Sequence, residues 1–100
     1  MLQQREASIA QCVLVEIARN TTFEFPWLTE RRILDAENLE KLCSRRELTE
    51  ALKALTDELI VDKETLSREP KYRIRIPIVA SAIKQDANEL ESIALAGLDS

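Results

Sequence analysis

Between Ser44 and Ile76 the hydrophobic period switches from helical to twofold, and this switch constrains the fold more than any other feature of the chain. Ser44 with Glu47 three residues on forms a capping box, in which each residue satisfies a free amide of the other. Leu48, Ala51, Leu52, Leu55 and Leu59 then recur at helical spacing as one buried stripe centred on Leu52 and Leu55. After Leu59 the period becomes two. Residues 60–66 read as a strand, 67–71 as a loop and 72–76 as a second strand. Tyr72, Ile74 and Ile76 alternate with Arg73 and Arg75, and Pro77 ends the run. The expected product is a hairpin with one buried face and one cationic face.

The flanking sequence is helical on both sides. Residues 3–19 contain no breaker, and Leu2, Ile9, Ala10, Val13 and Ile17 fall on one face, with Cys12 and Val15 on roughly the opposite one. A helix that is apolar on two faces is either sandwiched or covered by a partner. Asn20-Thr21-Thr22 ends it, and Phe23-Glu24-Phe25-Pro26-Trp27 alternates as a short extended segment. Thr29 caps a second helix over 30–42, lined by Leu28, Ala36, Leu39, Leu42 and Cys43, with a local break expected at Asn38. Cys43 stands one residue before the capping box, so the second and third helices meet at a sharp angle. A last helix spans 78–96. Its Ile83, Ala87, Leu90 and Ala94 form a short heptad seam, fit either to pack on the first helix or to pair with a second copy as a homodimer. The 100 residues suit a single domain, 1–100, with 78–100 as its terminal helix and tail.

Composition removes several classes of chemistry. Gly97 is the one glycine, so a phosphate-cradling loop is excluded. There is no histidine, which removes Ser-His-Asp and Cys-His catalysis and the usual nitrogen ligand of zinc. Cys12 and Cys43 lie among apolar neighbours and read as reduced core residues rather than a disulfide scaffold. Asp57, Glu58, Asp62 and Glu64 cluster near the hairpin base and read as surface charge rather than a cation site. The expectation is a chain with no catalytic centre, cofactor or metal. No apolar run approaches the ~20 residues that span a bilayer, and the first residues lack a signal-peptide pattern. A soluble, cytoplasmic protein without membrane contact is expected.

The order helix, short strand, helix, tight turn, helix, hairpin, helix resembles the winged helix-turn-helix, mainly α with a small β-hairpin wing. Residues 44–61 and Tyr72-Arg73-Ile74-Arg75-Ile76-Pro77-Ile78-Val79 carry the resemblance. The latter is similar to the wing ending of winged helices appended to AAA-type and STAND-type NTPases, and Phe25-Pro26-Trp27-Leu28-Thr29-Glu30 is similar to their entry into the second helix. The resemblance implies a fold and a place beside a larger NTPase-type protein. The ATPase motifs themselves are absent.

Two functional readings follow. As a DNA-binding regulator, the chain would use helix 44–59 and wing 63–75, through Arg45, Arg46, Thr49, Lys53, Arg68, Lys71, Arg73 and Arg75, with Arg45, Arg46, Arg73 and Arg75 gathered into one basic patch. Against it, the formal charge is −4, and Arg46–Glu50 and Lys53–Asp57 are spaced to pair within the helix. As a docking or regulatory module, the chain would offer the same residues, its near-neutral third helix and the surplus apolar side of its first helix to a protein partner or neighbouring domain. Docking is the favoured expectation, with weak DNA contact as the alternative.

Overall fold

A computed structural model describes residues 4–98. Leu2, Gln3 and the last two residues of the tail lie outside the described residues. The chain is mainly helical with a small antiparallel sheet. In order the elements are α1 (Gln4–Arg19), β1 (Leu28–Thr29), α2 (Glu30–Leu34), α3 (Glu37–Glu40), α4 (Arg45–Asp57), β2 (Val61–Glu64), β3 (Lys71–Ile74), α5 (Pro77–Gln85) and α6 (Ala87–Leu98). No helix among the described residues is long and apolar enough to cross a membrane.

α1 is the sandwiched element. Ile9, Val13 and Ile17 enter the core with Leu28, Ile33, Leu39, Leu48, Leu52, Val61 and Ile74. The other face, along Ser8, Gln11, Val15 and Arg19, is covered by α6 running antiparallel. Gln11 donates to the Leu90 carbonyl at 2.7 Å. Arg19 reaches Glu91 and Asn88, both at 2.7 Å. A Cβ on Gly97 would collide with Ser8 Oγ, so the glycine sets how closely the two helices approach. Cys12 and Val15 are 4% and 1% exposed. The surplus apolar side of the first helix is thus buried inside the chain. Ala87 and Ala94 of the heptad seam are buried, and Leu90 and Ile83 are half-buried.

α4 begins as its capping box requires: Ser44 Oγ accepts from the Glu47 amide at 3.1 Å, and Glu47 Oε1 accepts from the Ser44 amide at 3.1 Å. Leu48, Ala51, Leu52 and Leu55 are buried. Leu59 departs from the expected stripe and is 62% exposed. The helix ends at Asp57. Ile60 N donates to Leu55 O, Leu59 N donates to Thr56 O, and Leu59 takes φ 63°. These paired bonds are a Schellman ending, with leucine in the left-handed position that usually holds glycine. The reversed backbone swings the Leu59 side chain away from the core.

Other expectations are corrected as well. The second helix is two short ones, because Asp35 (φ −93°, ψ 1°) ends α2 and Ala36 (ψ 119°) is extended. The break falls at Asp35–Ala36, not at Asn38. Thr29 does cap α2, its hydroxyl accepting from Arg32 N at 3.3 Å. Ile33, absent from the stripe expected for this helix, is fully buried. The last helix is likewise two, parted at Asp86 (φ −101°, ψ 17°), so Ile83 stands on α5 and the rest of the seam on α6. Aspartate's competing local hydrogen bonds make it a weak residue for a helix interior.

A further correction concerns residues 23–27. The strand there is Leu28–Thr29, paired with Lys71–Tyr72 at the edge of a sheet ordered β1-β3-β2. Thr22 N donates to Phe25 O and Phe25 N donates to Thr22 Oγ1, both at 3.1 Å, closing a turn that leaves Phe23 and Phe25 exposed. In the hairpin, Val61 faces Ile74, Asp62 faces Arg73, Lys63 faces Tyr72 and Glu64 faces Lys71. Tyr72 and Ile74 are buried as the alternation requires. Ile76 is 53% exposed, because the strand stops at Ile74 and Ile76 becomes the N-cap of α5 ahead of Pro77. Tyr72 OH donates to Glu30 Oε1 at 2.8 Å, and burial followed by this bond raises its pKa.

Because both faces of α1 are buried, truncation on either should unfold one cooperative unit. Leu52→Ala should cost about 2–5 kcal/mol, and Val15→Ala, on the α6 side, about 2 kcal/mol. Urea denaturation checks this. A Val15→Ala cost near zero would show that α6 is not packed on α1.

Candidate functional site

The structure divides the proposed contact residues into two groups with different electrostatics. The first lies on α4. Arg45 pairs with Asp35 at 3.0 Å, Arg46 with Glu50 at 3.2 Å and Lys53 with Asp57 at 3.5 Å. The last two are the i, i+4 pairs read from the sequence. The Thr49 hydroxyl donates to its own helix, to Arg45 O at 2.9 Å. Exposed pairs of this kind add little stability, but they bring a carboxylate to each cation. The exposed face of α4 therefore has no surplus positive charge.

The second group lies on the hairpin. Lys71 meets Glu64 at 3.5 Å and Arg73 meets Asp62 at 3.2 Å, each pair directly opposite in the ladder. The Arg73 guanidinium also lies 4.6 Å from the centre of the Trp27 ring, with Lys71 5.9 Å from the same ring. Arg68 in the hairpin loop and Arg75 beyond β3 have no carboxylate within ion-pair distance among the described residues. Arg73 and Arg75 line an open cleft of about 540 Å³ with Lys84 of α5.

Lys84 is absent from the sequence-based set. Its Nζ donates to the Thr21 carbonyl at 2.9 Å, tying α5 to the end of α1 while leaving its charge uncancelled. A signal was available: Lys84 is the one charged residue between Arg75 and Asp86. No sequence pattern shows, however, that Thr21 and Arg75 lie beside it.

A second groove, about 510 Å³, runs between α1 and α4 over Ala10, Leu14, Ala54 and Ile60. Glu47 closes one end through Arg5, whose Nε lies 2.8 Å from Oε2. The Arg5 bond first, then the Ser44 amide, lowers the Glu47 pKa to about 2. Both cysteines are free, and burial raises both thiol pKa values, Cys12 to about 11, which disfavours the reactive thiolate. Asp57, Asp62 and Glu64 are committed to the ion pairs above, and among the described residues no three metal-binding side chains converge.

No protein-family model, curated protein or solved structure matches the chain.

The depressed Glu47 pKa has a definite pH signature. The stabilisation it reports is complete above the unfolded carboxyl's value, near 4.5, and is lost as pH falls toward the folded value of about 2. The stability gap between the parent chain and Glu47→Gln should be widest near neutrality and shrink between pH 5 and pH 2. Urea titrations across that window check it. A gap that widens on acidification would contradict the assignment.

Proposed function

We propose that the chain is a non-catalytic winged helix-turn-helix module that docks protein rather than reading DNA. The element order supports the fold: α2 to α4 supply the helical part, β2–β3 the wing, and β1 completes the sheet at the edge of β3. In this arrangement α4 is the helix that would enter a major groove.

The observation that carries the docking reading is the pairing of Arg45, Arg46 and Lys53 with Asp35, Glu50 and Asp57. A duplex approaching α4 would meet a carboxylate beside each cation. The formal charge of −4 adds long-range repulsion. Exposed apolar side chains fit a protein partner better: Phe23, Phe25 and Ile78 are among the most exposed large hydrophobics, and Leu66 stands at the tip of the wing.

Arg68 and Arg75 keep a weak nucleic-acid contact in play, and titration of a labelled duplex into the full chain separates the readings. At physiological salt the dissociation constant should be no tighter than about 10⁻⁵ M, in or beyond the usual non-specific range. Arg73→Glu with Arg75→Glu should then change little. A nanomolar complex with one defined duplex, abolished by that double substitution, would establish the DNA reading instead.

A further inference from the structure

We propose that the cleft between the 21–26 turn, the end of β3 and the first turns of α5 is the docking site. Its occupant is an acidic peptide segment that presents one or two large apolar side chains. This assignment deepens the docking reading and rests on it.

The charge of the cleft selects the occupant. Arg32, Lys63, Arg68, Arg75 and Lys84 are the basic residues without a carboxylate in ion-pair range among the described residues, and two of these five line this one cleft. Lys84 is held by a neutral carbonyl, and Arg73 adds a third cation, shared with Asp62. No carboxylate stands among the described lining residues. In a chain of net charge −4 this is a local inversion of sign, and it complements a carboxylate-bearing partner.

The shape selects the apolar anchor. Ala18, Ile74, Pro77 and Ala80 give the cleft an apolar lining between the cations. Its volume of about 540 Å³ lies within the usual range of binding clefts, room enough for one or two side chains but too small to seat a duplex. Phe23 forms part of the wall yet is 88% exposed, and Phe25, in the same turn, is 74% exposed. The Thr22–Phe25 hydrogen bonds hold the turn in shape. An exposed phenylalanine and arginines beside a small apolar pocket match the residue types enriched at the core of protein interfaces.

The probe is a fluorescein-labelled dodecapeptide with a central Leu-Phe flanked by Glu and Asp, titrated into the full chain and read by anisotropy. It should bind saturably. Arg75→Glu should weaken it at least about tenfold, whereas Arg68→Glu, the same charge change at another unpaired cation outside the cleft, should change it less than about twofold. Lys84→Gln and Phe23→Ala should each weaken it, and replacing Leu-Phe by Gly-Ser in the peptide should do so as strongly as Arg75→Glu. Circular dichroism of each variant confirms folding, and Arg75→Gln, whose side chain bridges no element, serves if charge reversal perturbs it. Absence of saturable binding, or equal weakening by Arg68→Glu, would overturn the cleft assignment while leaving the docking reading to other surfaces. A labelled thymidine dodecamer bound more tightly than the peptide, and lost with Arg75→Glu, would overturn both.

Discussion

Burial of α1 on two opposed faces is the constraint on which the rest of the structure depends. Val13 and Ile17 need the α4–sheet side, and Val15 needs α6. Neither half of the chain covers this helix alone, so the hairpin region and the α5–α6 pair are fixed relative to each other through it. Lys84 strengthens that link by donating to Thr21 O just beyond the helix. The cleft is a by-product: it forms where the end of α1, the end of β3 and the start of α5 meet.

Electrostatics then decides which surfaces are open for use. The pairs on α4 and in the hairpin are exposed or half-exposed, and each adds at most about 1 kcal/mol to stability. Their larger effect is on the surface potential. They flatten it over α4 and at the Glu64–Lys71 and Asp62–Arg73 pairs of the hairpin, so uncancelled positive charge remains at Arg32, Lys63, Arg68, Arg75 and Lys84, the last two side by side in the cleft.

What was legible in the sequence was local. The capping box, the Leu48–Leu55 stripe, the twofold alternation at Tyr72 and Ile74 and the i, i+4 pairs are short-range patterns, and each stands where it was expected. Failures came where one residue's backbone overrode a pattern. Leu59 continues the leucine spacing but takes a positive φ, and Ile76 continues the alternation but caps a helix. Asp35 and Asp86 break helices that hydrophobic spacing alone would run through. The cleft was not legible, because residues near 22, 75 and 84 meet there only through the packing of three elements. The apolar side of α1 was legible as a surplus, and the 83–94 seam as one candidate to cover it; α6 takes that place.

On the proposed docking reading, intrachain carboxylates, not a shortage of cations, keep α4 from holding DNA. The most direct measurement removes them. Asp35→Asn, Glu50→Gln and Asp57→Asn, combined, leave Arg45, Arg46 and Lys53 in place without their partners. Duplex affinity at low salt should then rise at least about tenfold, and the slope of log affinity against log salt should steepen by about two to three, one unit per freed phosphate contact. Unchanged affinity and slope in a variant that remains folded would contradict the account.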